Sequence, residues 1–167
     1  MKNGFTLIEL MIAITVLVIL MVGGTFVLLQ TLGSRGQNQV EVNINQAGSQ
    51  AMESVEQSIR FAFVESLGGG ITRSSCISAG QSGVTGSSVT VSDSYGQTRY
   101  YLTGNRLASE SATIKYLSST DVVASNMVVT WYCVTGFSDK LRIKFDMTGG
   151  SIVRTFSRDI NMYNSGI

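Results

Sequence analysis

The sequence predicts an α+β chain: a long N-terminal helix followed by an antiparallel β-sheet head. Three observations predict it. Positions 5–29 are an apolar run with one charge, Glu9. Apolar and small residues then recur every three to four positions as far as about Leu67. Beyond a stretch rich in Gly and Ser, the period changes to two.

The apolar run comes first. From Phe5 to Leu29 there are 25 residues. As a helix they rise roughly 37 Å, and about 20 apolar residues suffice to cross a bilayer. The run exceeds the ~7–15-residue apolar core of a secretory signal, and no A-x-A site follows it. Glu9 does not fit hydrocarbon. A carboxylate at this depth costs about 2.5–3.5 kcal/mol on insertion scales, so it needs a partner or a purpose. The plainer alternative is a tolerated carboxylate, protonated or reaching toward the headgroups.

The stretch Gly4-Phe5-Thr6-Leu7-Ile8-Glu9, preceded by the short basic leader Met1-Lys2-Asn3-Gly4, resembles the N-terminus of type IV prepilins and the related pseudopilins. The resemblance covers about the first 30 residues. It implies cleavage between Gly4 and Phe5 on the cytoplasmic side by a dedicated membrane peptidase, and N-methylation of the new Phe5 amine. It also implies that Glu9 pairs with the Phe5 amine of a neighbouring subunit during filament assembly. Glu9 and Phe5 lie one helical turn apart, so two subunits offset along their axes can place carboxylate beside cation. In low dielectric an unpaired charge is expensive, and pairing therefore favours one register. The implied topology is a single-pass protein of the cytoplasmic (inner) membrane with its N-terminus in the cytoplasm. The head is then extracytoplasmic, and after assembly it lies in an extracellular or periplasmic filament. The implied partners are other pilin or pseudopilin subunits, the prepilin peptidase and the filament assembly platform.

Composition excludes several chemistries. Lys and Arg total 12 and Asp and Glu 11, for a net charge of +1 that points to no nucleic-acid or acidic partner. The chain has no His, the usual general base and commonest metal ligand, and no Pro. No nucleophile motif and no phosphate loop occur. We expect no enzymatic activity, no cofactor and no metal, since Asp121, Asp139 and Asp146 lack calcium-ligand spacing. Both cysteines, Cys76 and Cys133, follow the span. If that part lies outside the cytoplasm they form a disulfide, and otherwise they are two buried thiols.

Further along, Gly23-Gly24 reads either as a soft spot in the helix or as ordinary membrane-helix glycine. From Gln30 to about Leu67 the helix is expected to continue in water. Ile44, Gly48, Ala51, Val55, Ile59 and Ala62 form one stripe, flanked by Met52 and Phe63. Gly33-Ser34-Arg35-Gly36 loosens the join. The stretch from Gly68 to about Ser87 reads as loop, with room for one short strand near Ile71. Strands are expected at 88–92, 98–103, 106–108, 127–134, 140–147 and 151–158, with Gly104-Asn105 as a two-residue hairpin turn. Met127, Val129, Trp131 and Cys133 share the expected core face. The division is therefore a leader at 1–4, a transmembrane and assembly helix at 5–29, its amphipathic continuation at 30–67 and a β-rich head at 68–167.

One constellation carries a separate expectation. With a three-residue turn at Thr148-Gly149-Gly150, Lys144 faces Arg154 and Lys140 faces Arg158, with Arg142 between them. Like charges directly opposite are unfavourable. That face then needs a carboxylate from another strand or subunit, or a polyanion such as DNA; the plainer alternatives are a register shift or a solvated face.

Tyr100-Tyr101-Leu102, Asn105-Arg106-Leu107 and Leu141-Arg142-Ile143-Lys144-Phe145 resemble minor pilins and pseudopilins of the J or W type. With the N-terminus, this implies a pilin-like fold and a structural subunit of a type IV pilus-like filament, most concretely a minor pilin or pseudopilin such as type II secretion uses. The alternative is a single-pass membrane protein that displays a binding head and never polymerises.

Overall fold

A computed structural model describes residues 6–163, without the side chains of 31–37. The first helix, α1, runs Leu7–Arg60. The chain forms two compact units, residues 1–39 and 40–167. In the first, α1 is apolar as far as Leu29, and its side chains from Leu7 to Gln30 are exposed. Gly23 and Gly24 are helical, with nothing within 4 Å of where their side chains would begin.

Among the described residues, the second unit holds the end of α1 and nine strands. They are β1 Phe63–Leu67, β2 Val84–Gly86, β3 Val89–Asp93, β4 Gly96–Thr103, β5 Arg106–Glu110, β6 Ile114–Tyr116, β7 Val123–Tyr132, β8 Lys140–Gly149 and β9 Ile152–Asn161. A short helix, α2 Arg73–Ala79, lies between β1 and β2. Two antiparallel sheets result, one ordered β1-β3-β4-β5-β6 and the other β2-β7-β8-β9. The architecture is α+β and pilin-like.

The stripe on α1 is the helix's contribution to the core. Ile44, Ala51, Met52, Val55 and Ile59 are buried, together with Trp131, Leu141, Ile143, Phe145 and Met147 from the second sheet. Gly48 admits the ring of Phe156, which would occupy the place of any side chain there. Gly149 does the same for Ile44, whose nearest atom lies 3.0 Å from where a Cβ would sit.

Four local expectations are corrected. First, α1 ends at Arg60, not Leu67. From Phe61 burial alternates, with Ala62, Val64 and Leu67 inward and Phe61, Phe63 and Glu65 outward, and β1 pairs with β3. Period two competes with period 3.6 over these residues, and the free ladder of β3 decides it. Second, the glycine-rich stretch after Leu67 is not all loop: it contains α2 and β2. Third, β7 begins four residues before Met127. A bulge between Ser125 and Val128, with Asn126 at φ 52°, interrupts the alternation and hides the strand's start.

Fourth, the β8–β9 register differs from the expected one by three residues, with Gly149 kept in the strand and packed under Ile44. Gly150 alone of the pair takes a positive φ, 59°, and the turn is Gly150-Ser151 with Gly149 opposite Ile152. A slip by an odd number of residues exchanges the faces of a strand. Lys144 therefore faces Ser157, and Lys140 faces Asn161. Arg154 and Arg158 pass to the side of α1, away from Lys140, Arg142 and Lys144. The Gly104-Asn105 turn is as expected, with both φ values positive, 54° and 63°, as a type I′ hairpin requires.

These contacts predict that Gly48→Val destabilises the head by about 1–3 kcal/mol, the usual range for overpacking. Thermal unfolding measures it. In a Phe156→Ala background the same substitution is expected to lose that penalty.

Candidate functional site

The first site is the start of α1. Leu7–Gln30 is a 24-residue stretch of helix whose most apolar 18 residues have a mean hydropathy of 2.8, long and apolar enough to cross a membrane. None of its most apolar stretch is buried by the rest of the chain. At its head Thr6 and Glu9 form a reciprocal cap. The Thr6 amide donates to Glu9 Oε2 at 3.0 Å and the Thr6 hydroxyl to the same oxygen at 2.9 Å. The Glu9 amide donates back to Thr6 Oγ1 at 3.4 Å. A Thr-x-x-Glu box of this kind satisfies backbone donors that a helix leaves open. A carboxylate offers about four acceptor positions. The two bonds from Thr6 leave Glu9 able to receive a further cation. Gly4 and Phe5 lie outside the described residues.

The second site is the charged framework of the head. Asp159 on β9 collects both Lys140, at 2.7 Å, and Arg142, in a two-pronged contact at 2.6 and 3.0 Å. The Arg142 and Lys140 bonds hold the Asp159 carboxyl well below the usual carboxylate range, and the Asp159 carboxylate pushes the Arg142 guanidinium further up. Asp146 is lowered by hydrogen bonds from Thr155 and Asn126, with a smaller contribution from the charge of Lys144. On the side of α1, Arg154 pairs with Glu41, and Glu56 accepts from both Arg60 and Arg158. The five cations expected as one face thus divide between two, and carboxylates from the same chain answer most of them. The sequence reading missed Asp159, Glu41 and Glu56 as these partners, because their places depend on the β8–β9 register.

The third is buried. Cys76 on α2 and Cys133, just after β7, form a disulfide with Cα atoms 5.6 Å apart. Asp139, fully buried, lies in the same region. It accepts from Trp131 Nε1 at 3.2 Å and from Arg73 at 3.3 and 3.4 Å. A buried carboxylate needs such partners. The sequence offers no signal for this trio, because Arg73 and Asp139 are 66 residues apart. Among the described residues no three His, Cys, Asp or Glu side chains converge as a metal site.

The acid dependence follows from Asp159 and Asp146. Their folded pKa values lie below the unfolded carboxylate value of about 3.9. The stability they contribute is present above about pH 4 and is lost as pH falls through the folded values. Urea unfolding across that window tests this: the gap between wild type and Asp159→Asn should narrow as pH drops. At neutral pH the gap should stay near or below about 1 kcal/mol, because the cluster is exposed.

Comparison with known proteins places the motif. The family model described as the prokaryotic N-terminal methylation motif matches residues 1–25. No curated protein and no solved structure matches the chain. The matched residues include Gly4, Phe5, the Thr6–Glu9 cap and most of the uncovered apolar helix. That motif and that helix support a type IV prepilin-like protein.

Proposed function

We propose that the chain is a structural subunit of a type IV pilus-like filament, most concretely a minor pilin or pseudopilin. It is cut between Gly4 and Phe5, N-methylated on Phe5 and held in the cytoplasmic membrane by α1 until assembly. The observation that carries this reading is a carboxylate, Glu9, placed one turn into an apolar helix whose side chains are exposed from Leu7 to Gln30. In a filament, the helices of neighbouring subunits would cover that surface. Glu9, still able to accept after its Thr6 bonds, would take the Phe5 amine of a neighbour. The N-terminus is then cytoplasmic and the head extracytoplasmic, a compartment that suits the Cys76–Cys133 disulfide. The two-sheet head supports the minor or pseudopilin reading over that of the main subunit, and it would select neighbours.

Substitution of Glu9 by Ala separates this from a non-polymerising display protein. Cleavage and membrane retention should persist. Incorporation into filaments should fall at least ten-fold, since stranding a buried charge costs about 3–5 kcal/mol. Unchanged incorporation would contradict the assembly role. The ratio of this chain to other pilins in sheared filaments tests the minor assignment, and a predominant share would make it the main subunit.

A further inference from the structure

Two surfaces of the head carry exposed aromatic side chains beside charge of opposite sign. The first is the turn joining β3 and β4. Tyr95 at its tip is 97% exposed. It is nevertheless held in place: its amide donates to Asp93 Oδ1 at 2.8 Å, and Gly96 closes the turn at φ 130°. Asp93 brings a negative charge to the cleft that Tyr95 shares with Phe61 and Phe63.

The second surface is a cavity of about 570 Å³ beside the disulfide, lined by Gln81, Tyr132, Val134, Phe137, Lys140 and Arg142. Phe137 stands 69% exposed at this cavity. Lys140 and Arg142 share the single carboxylate of Asp159, so positive charge is in excess there. The two surfaces have no lining residue in common.

We propose that they are the two halves of a head-to-tail contact between copies of this chain. Tyr95 of one copy enters the cavity of the next beside Phe137, and Asp93 comes opposite Lys140 and Arg142. Three features favour a second copy as the occupant. The charges are complementary. An aromatic side chain on a fixed turn buries a large area while losing little conformational freedom, as anchor residues do. The two halves differ, and a contact between unlike surfaces repeats along a line when its rotation does not close. The inference rests on the filament-subunit reading and further requires that copies of this chain be neighbours in the filament, not scattered singly among other pilins.

The test uses the full chain in its native cells. A tagged copy carries a benzophenone photo-crosslinking amino acid in place of Tyr95, and an untagged copy is present beside it. Tyr95 is so exposed that its replacement leaves the fold intact. Irradiation should give a covalent dimer whose linked peptide from the second copy lies within residues 132–142. Asp93→Lys and Phe137→Ala should each lower the yield roughly three- to five-fold, the size expected for one exposed contact. No dimer, a dimer linked elsewhere, linkage to a different protein, or a yield that neither substitution changes would each overturn the contact. The share of the chain in sheared filaments, measured in the same cells, reports the subunit reading separately. Incorporation without the crosslink overturns the contact and leaves the subunit standing. The crosslink in membranes without incorporation supports the contact and removes the subunit.

Discussion

An apolar helix of 24 residues that the chain itself leaves uncovered is the constraint on which the rest depends. In water it would expose far more contiguous apolar surface than soluble proteins carry. It must be covered by lipid, by the helices of other subunits, or by each in turn. The carboxylate of Glu9 sharpens the constraint, because lipid alone covers it poorly. The Thr6 cap supplies part of the answer from within the chain by giving Glu9 two donors and closing the helix's first turn.

The head solves a different packing problem. Its half of α1 buries one stripe against sheet, and the approach is close at two glycines. At Gly48 the ring of Phe156 takes the side chain's place, and at Gly149 the end of Ile44 comes within 3.0 Å of where a Cβ would sit. The second has a further consequence for charge. Because Gly149 is committed to packing, the β8–β9 turn is two residues long, and the register follows. Arg154 and Arg158 then meet Glu41 and Glu56 on α1, while Lys140 and Arg142 meet Asp159. One glycine pressed against a helix thereby decides which cations share a face.

What was legible in the sequence had a local physical cause. The apolar helix, the stripe from Ile44 to Ile59 and the inward row Met127, Val129, Trp131 and Cys133 are patterns of period or spacing. They appear in the fold as the sequence predicts. What was not legible depended on partners distant in the chain. The end of α1 was decided by the ladder of β3, and the start of β7 was masked by a bulge at Asn126. The Trp131–Asp139–Arg73 trio joins residues that only the finished fold brings together. The charged face failed for a single reason: the sequence does not say which of two adjacent glycines will turn.

The N-terminal peptide of the chain, identified by mass spectrometry in membrane and sheared-filament fractions of the native cell, tests the central claim most directly. The account predicts a terminus at Phe5 carrying one methyl group, recovered from both fractions. A chain that still begins at Met1 in every fraction would contradict it and would leave a membrane-anchored head with no part in a filament.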